Sequence, residues 1–443
     1  MLYSGRDLRK LIIPLVIEQV LSIAVGMADT IMVSAAGEAA VSGVSLVDTV
    51  NILLINVFSA LATGGAVVAG HFLGKRKLEE ARKAAWQIIL FATLLALVIS
   101  VVFFAAHDQL LHLMFGQIED DVMRACKTYL MITTSSFVAL AVYNSCAALF
   151  RAMNNAKVTM WVSLLMNLIN VTGNAICIFG LRMGVEGVAI PTTVSRYVAA
   201  ILIFALMFNP RKEINLCGQL TPRFHGGLIK KILYIAVPNG MENSMFQLGK
   251  ILVISAVSTM GTASIAANAV ANTLANWNCL PGIAINLSIV SVVSVCVGAN
   301  EYGQARYYTR KLCTYAAVGI AGMSAILYVT APLIVGVYNL GPEAAGLAEE
   351  VIRAHAVMAM LFWVLSFSLP NTLRAAGDVM LPMGISIASM WLFRVVAAYV
   401  FTYVFHLGLL AVWGAMFIDW IFRAVCYIVR YRGSRWEKYG QKS

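Results

Sequence analysis

Charged residues are scarce in this sequence: Asp, Glu, Lys and Arg make up only 12% of its 443 residues. In an average soluble protein, charged residues make up about 25% of the sequence, so the shortage argues against a set of soluble domains. Hydrophobic residues account for 60% of the chain. At about 20 apolar residues per bilayer crossing, the length leaves room for about a dozen transmembrane helices. We therefore predict an all-α polytopic membrane protein.

The sequence also lacks the motifs of several kinds of chemistry. It has no Gly-x-x-x-x-Gly-Lys-Ser/Thr loop for ATP and no His-Glu-x-x-His motif for zinc. Its eight cysteines form no Cys-x-x-Cys pair, so we interpret them as small apolar side chains rather than as redox or metal sites. The longest predicted loop, at about 209–230, is too short for a soluble catalytic domain. We predict neither an enzyme nor a bound cofactor.

Twelve apolar stretches are long enough to be transmembrane helices. They are too long and too uniformly apolar for the strands of a β-barrel, and a helix satisfies its own backbone polar groups in lipid. The stretches lie at about 11–33, 45–73, 85–106, 127–150, 158–180, 188–208, 231–259, 266–298, 312–338, 352–373, 381–406 and 409–430.

The basic residues predict the orientation of the chain. There are 32 Lys and Arg against 21 Asp and Glu, a net charge of +11. Twelve crossings put both termini on one side, where most of the basic residues also fall, and the positive-inside rule makes that side cytoplasmic. This distribution explains the charge without a nucleic-acid partner. We predict a multi-pass protein of the cell membrane with both termini in the cytoplasm.

The second half of the sequence repeats the first at an offset of 224 residues. Pro14 and Glu18, for example, correspond to Pro238 and Glu242. Each repeat contains six predicted helices, so the two halves are related by a pseudo-twofold axis along the membrane normal. Such parallel repeats are a transporter architecture. The predicted parts are an N-terminal lobe (1–208), a cytoplasmic linker (209–230), a C-terminal lobe (231–430) and a cytoplasmic tail (431–443).

Ionisable side chains inside transmembrane helices are costly and suggest functional sites. The predicted helices contain Glu18, Asp29, Glu242, Lys250, Arg394 and Asp419. Asp29 is either a carboxylate at the membrane interface or a site for a proton or a cation. The second interpretation is supported by the polar partners that Asn167, Asn170 and Asn174 offer in the fifth stretch. Glu242 is expected to pair with Lys250 or with Arg394, and the sequence does not choose between them.

Pro14 and Glu18 are assigned to gating or to packing of the first helix. Proline removes a backbone hydrogen bond and provides a point where a helix bends. For Glu18 the alternative is a buried partner on another helix, a role that its repeat mate Glu242 would share.

Several segments together resemble the bacterial multidrug and toxic compound extrusion (MATE) family of the MOP flippase superfamily. They are Met-Ala-Asp-Thr-Ile-Met-Val at 27–33, Leu-Phe-Arg-Ala at 149–152, the segment from Asn170 to Gly180, Pro-Gly at 281–282 and Val-Gly-Ala at 297–299. The family consists of cation-coupled antiporters with twelve helices in two six-helix lobes. The resemblance covers nearly the whole chain.

This resemblance implies a coupling site in the N-terminal lobe. The residues that form this site in the family look like Asp29, Asn170, Asn174 and Thr192 in this sequence. Many members carry an aspartate where this chain has Asn174, which leaves Asp29 as the only carboxylate of the set and favours H⁺ over Na⁺. Glu242, Lys250, Arg394 and Asp419 remain candidates for a coupling or a structural role in the C-terminal lobe.

The function implied is antiport: export of organic, often cationic, drugs or metabolites by alternating access, driven by H⁺ or Na⁺. Beyond Na⁺ at Asp29, no metal is expected. Small organic molecules and membrane lipid are the expected partners, and the chain is expected to be a monomer.

The alternative is a flippase for a lipid or a lipid-linked oligosaccharide, which would need a cluster of cationic cavity residues; only Lys250 and Arg394 qualify. A membrane-embedded lipid enzyme would need paired acids or a His–Asp arrangement near one interface, and the histidines have no such spacing.

Overall fold

The computed structural model describes residues 2–116 and 118–442. Within these residues the secondary structure is helical, with no β-strand. Ten of the described helices are long and apolar enough to cross a membrane, or eleven if one bent pair counts as a single span. The all-α membrane fold predicted from the sequence is confirmed at this level.

The first half of the chain contains the helices that build the candidate site. α4 and α5 are bent by 50° at a short break and together form one candidate span. α6 continues into a short π-helix, Ile176–Gly180. The helices are α1 (Gly5–Ser34), α2 (Glu38–Gly74), α3 (Leu78–Phe115), α4 (Asp120–Thr134), α5 (Phe137–Ala152), α6 (Ala156–Ala175) and α7 (Glu186–Leu206).

The second half contains the remaining helices and three further π-helical segments, Ala359–Ser368, Met390–Val396 and Val400–Val404. These segments join short α-helices into the continuous helical stretches Pro342–Ala375 and Met380–Val404. The helices are α8 (Gly226–Ser258), α9 (Thr262–Gly298), α10 (Tyr302–Val337), α11 (Pro342–Met358), α12 (Leu369–Ala375), α13 (Met380–Ser389), α14 (Ala397–Tyr399), α15 (Leu409–Arg432) and α16 (Glu437–Lys442).

One predicted transmembrane stretch, 231–259, differs from the others. It folds as most of α8, but α8 is not among the described helices that are apolar enough to cross a membrane. Polar and charged residues interrupt its middle, namely Asn239, Glu242, Asn243, Gln247 and Lys250. The other eleven stretches coincide with candidate spans, so a count of twelve stays a prediction.

The internal repeat extends to the boundaries of the helices. α2 and α9 each contain 37 residues, and their limits differ by the same offset of 224. Each begins after a glycine with a positive φ, Gly37 at 104° and Gly261 at 97°. Residues that have a side chain rarely adopt this backbone conformation, whereas glycine adopts it freely. The repeated glycines therefore fix the same helix start in both halves.

The chain divides into two compact units: the first is Tyr3–Val237, and the second is Met1–Leu2 with Pro238–Ser443. The boundary lies at Pro238, inside α8. The predicted linker therefore belongs to the first unit, where it packs along α3. Trp86 Nε1 donates to the Thr221 carbonyl at 2.7 Å, and Gln87 Nε2 donates to the Arg223 carbonyl at 2.9 Å. The lobe limits predicted from the sequence stay a prediction.

Candidate functional site

A polar cavity of about 310 Å³ lies within the first unit. Its walls come from α1, α2, α4, α6 and α7. Three of the four residues predicted for the N-terminal site line it directly, Asp29, Asn170 and Thr192. The other polar residues of the wall are Ser22, Thr30, Ser45, Asp48, Tyr129, Asn167, Ser195 and Arg196.

Asp29 is held by amide groups of α6. Asn174 Nδ2 donates to Asp29 Oδ1 at 2.9 Å. The amide of Asn170 is oriented by its neighbours: with its nitrogen toward Asp29 it donates to both carboxylate oxygens, at 2.9 and 3.0 Å, and its oxygen accepts from Thr192 Oγ1 at 3.0 Å. Asn170 and Asn174 are four residues apart, on one face of the helix. The structure thus brings together all four predicted residues.

The charge of Asp29 is coupled to its hydrogen bonds with α6. Its carboxylate is half-buried, and N–H donors from two amides face it. Hydrogen bonds to a charged carboxylate are stronger than those to a neutral one, so protonation of Asp29 would weaken both contacts. Asn174 is fully buried, and its Oδ1 has no hydrogen-bond partner in the described chain. A change of charge at Asp29 therefore acts directly on α6.

Asp48 is a second carboxylate of this cavity, and sequence reasoning missed it. It accepts hydrogen bonds from Tyr129 and from Asn51, both at 3.1 Å. Arg196 lines the same cavity. Asp29 is therefore the only carboxylate of the four predicted residues but not the only one of the cavity. The signal was available, because Asp48 is an ionisable residue within the predicted stretch 45–73.

Glu18 is separate from the cavity and packs against α6. It is 8% exposed and accepts a hydrogen bond from Thr159 Oγ1 at 3.0 Å. Pro14 lies one turn earlier in α1 and is also buried. Of the two roles considered for Glu18, these contacts support helix packing.

Glu242 forms an ion pair with Arg374, in the second unit. Arg374 Nη2 lies 2.6 Å from each carboxylate oxygen, and both side chains are 12% exposed. The expected pairing of Glu242 with Lys250 or Arg394 is therefore wrong. The predicted stretch 352–373 ends one residue before Arg374, whereas the structure places Arg374 in α12 with its side chain largely buried.

Asp419 is also paired, and its partner is Arg423 on the next turn of α15. Arg423 Nε donates to Asp419 Oδ1 at 2.7 Å, and the side chains are 3% and 0% exposed. Ser389 donates to the same carboxylate oxygen. Both acids predicted for the C-terminal lobe are thus held in ion pairs, Asp419 within one helix and Glu242 between two helices.

Lys250 and Arg394 contact the ring of Phe246 instead of an acid. Lys250 Nζ lies 5.0 Å and Arg394 Cζ lies 5.2 Å from the ring centroid. Within the described residues, neither takes part in an ion pair. Arg423, the partner of Asp419, lies over the same ring, whereas Glu242 is paired with Arg374. The predicted residues of the C-terminal lobe are therefore divided between the Glu242–Arg374 pair and a cluster around Phe246.

Comparison with known proteins follows the same division of the chain. The sequence profile of the MatE family matches residues 14–176 and again 238–400. The two matches are displaced by the offset of the internal repeat. Together they cover well over half of the chain.

Similar proteins are found along the full length. An uncharacterized transporter, YisQ of Bacillus subtilis, is 28% identical over 434 residues, covering 96% of this chain and 94% of that protein. A probable multidrug resistance protein, NorM of Thermotoga maritima, is 24% identical, with coverages of 98% and 93%.

Solved structures share the fold. A MATE protein in a bent conformation aligns with a TM-score of 0.89 at 20% identity, over 98% of this chain and 97% of that one. An outward-facing multidrug resistance MATE transporter of the MOP superfamily aligns with a TM-score of 0.88 at 20% identity, with coverages of 98% and 96%. The chain therefore belongs to the MatE family, the MATE transporters that its sequence resembles, and is a membrane transporter rather than an enzyme.

Proposed function

We propose that this chain is a proton-coupled antiporter that exports small organic compounds, and that Asp29 carries the coupling proton. The observation that carries the proposal is the half-buried Asp29 carboxylate, bound by two α6 amides at the wall of a polar cavity. Relatives named as probable multidrug resistance proteins support the substrate class. The family gives no support to the flippase alternative.

The coupling step follows from the contacts of Asp29. The ionised carboxylate accepts hydrogen bonds from Asn170 and Asn174, which tie α1 to α6. Protonation in the outward-open state removes the charge, weakens these bonds and frees α1 to move. Pro14 supplies no backbone N–H, so α1 bends at that point at lower cost. Movement of α1 would reshape the cavity and release the bound compound to the exterior, as alternating access requires.

Proton coupling agrees better with the donors around Asp29 than sodium coupling does. Sodium would need several oxygen ligands, as hard cations do. The amides of Asn170 and Asn174 turn N–H groups toward the carboxylate. In this orientation of the amides, a bound Na⁺ would meet N–H groups rather than oxygen ligands, whereas a proton binds a carboxylate oxygen directly.

The rest of the architecture is proposed from the sequence. α8 serves as the seventh of twelve spans, because its polar middle lies among neighbouring helices of a bundle rather than in lipid. Two six-helix lobes are related by a pseudo-twofold axis, and both termini lie in the cytoplasm of the cell. The functional unit is a monomer. Membrane lipid and a small organic substrate are its only partners, and no resident cofactor is needed.

Efflux of ethidium from cells or vesicles tests the proposal when the proton and sodium gradients are collapsed one at a time. We expect export to stop when the proton gradient is removed and to continue when only the sodium gradient is removed. Export that depends on sodium alone would overturn proton coupling. Absence of gradient-dependent efflux for ethidium and for other organic cations would overturn antiport.

A further inference from the structure

The second unit contains a small cavity with two cationic side chains in its wall. Lys250 from α8 and Arg394 from the π-helix Met390–Val396 line a volume of about 50 Å³. The remaining wall is formed by Val253, Ile254, Asn268, Asn272, Val412, Trp413 and Met416. No carboxylate belongs to the wall as described. The cavity therefore has positive groups without a matching acid.

Positive charge is also in excess in the surrounding cluster. Arg423 lies 5.8 Å from the centroid of the same Phe246 ring that contacts Lys250 and Arg394. Its charge is balanced by Asp419, since the two form a buried ion pair. Lys250 and Arg394 then remain without an acidic partner within ion-pair distance, in the described residues.

Both unpaired cations are close together, and neither is fully exposed. They approach the ring centroid of Phe246 within 5.0 and 5.2 Å, so their charges lie within about 10 Å of each other and repel. Arg394 is only 8% exposed, and its Nε has no hydrogen-bond partner in the described chain. Burying an unpaired charge is costly in a protein interior and more so in a membrane. An anion between them would relieve the repulsion and satisfy the free donors.

The remaining wall adds hydrogen-bond donors and apolar surface to the cationic groups. Trp413 Nε1 donates to Asn268 Oδ1 at 3.0 Å, which occupies the amide oxygen and leaves the amide N–H groups of Asn268 as further donors. Trp413 and Met416 contribute buried apolar surface. Since one water molecule needs about 10–15 Å³, a volume of about 50 Å³ admits a group of about three or four heavy atoms. A carboxylate has this size, and it matches the planar donors of arginine.

We propose that this cavity binds the carboxylate of an organic anion or zwitterion that the transporter exports. The claim that the ligand is an exported compound rests on the export function proposed above, whereas the claim that the cavity binds a carboxylate does not. The substrates would then include compounds with a negatively charged group, bound by Lys250 and Arg394 in the second unit, in addition to the cations expected from the family.

Binding of benzoate to the purified full-length protein tests this site. Benzoate presents a carboxylate of the size that the cavity admits, with an aromatic ring that would remain outside it, and benzamide is its neutral counterpart. We expect benzoate, but not benzamide, to bind, as measured by calorimetry. Lys250→Gln and Arg394→Gln should each weaken binding by about 10-fold to 100-fold, the usual effect of losing a charged hydrogen bond. Lys250→Arg and Arg394→Lys keep the charge and should retain most of the affinity, which separates loss of binding from misfolding.

Lys230→Gln is the matched control, because Lys230 is exposed and lies on the same helix as Lys250. This variant should bind benzoate like the wild type. Equal binding by Lys250→Gln, Arg394→Gln and the wild type would overturn the proposal, and so would absence of benzoate binding. Phosphatidylglycerol vesicles that displace benzoate, where phosphatidylcholine vesicles do not, would assign the site to a lipid headgroup and overturn the export role. Ethidium efflux is measured separately, so failure of antiport and failure of this site give different results.

Discussion

Replacement of Asp29 with asparagine is expected to reduce proton-driven export to the background of vesicles without the protein. Asparagine has nearly the same shape and still fits between Asn170 and Asn174, but it cannot alternate between a charged and a neutral form. The coupling ion would then have no site, and the gradient could not drive the cycle. Ethidium efflux from vesicles with an imposed proton gradient measures this effect.

Asp108→Asn is the matched control for that variant. Asp108 is an exposed carboxylate near the end of α3 and pairs with Lys127 at 3.1 Å. Its loss removes the same charge outside the cavity, so export should remain close to that of the wild type. Thermal unfolding should show that Asp29→Asn is folded. Wild-type export by a folded Asp29→Asn protein would contradict the role of Asp29.

Glu242→Gln is expected to lower the free energy of unfolding by about 3–5 kcal/mol, because it leaves Arg374 buried without its counter-charge. Glu349→Gln is the control. It breaks a more exposed pair with Arg353 and should cost about 0–1 kcal/mol. Denaturant titration of the purified proteins compares the two losses.

A double variant distinguishes a structural role of Glu242 from a role in ion coupling. Glu242→Leu with Arg374→Met removes both charges and should recover most of the stability, because replacing a buried ion pair by apolar residues is often close to neutral. If Glu242 were the coupling acid, Glu242→Gln would lose export without loss of stability. That result would move the coupling site to the second unit.

The sequence predicted the fold well where periodicity and repetition were strong. Long apolar stretches required helices, and repeated glycines such as Gly37 and Gly261 marked equivalent helix starts. The prediction was weakest in α8, where polar side chains in the middle of the helix lower its hydropathy below that of a typical span. Hydropathy measures contact with lipid, so it does not identify a helix whose polar side chains face other helices.

The site in the first unit was predictable in part. The family resemblance identified Asp29, Asn170, Asn174 and Thr192, and the structure places them in contact. Asp48 was missed, although it is an ionisable residue near the start of the predicted stretch 45–73.

The predicted pairing of Glu242 was wrong for a different reason. The predicted stretch 352–373 ends one residue before Arg374, and only the three-dimensional structure shows that the Arg374 side chain is largely buried against Glu242. Pairing between distant helices depends on tertiary packing, which a single sequence does not contain.

Proton release on substrate binding tests the central claim most directly. Ethidium is added to the purified protein in weakly buffered detergent solution, and a pH indicator follows the protons released. If substrate and proton compete through Asp29, the wild type will release protons on binding and Asp29→Asn will bind ethidium without release. Equal proton release by the wild type and by Asp29→Asn would contradict the assignment of the coupling proton to Asp29.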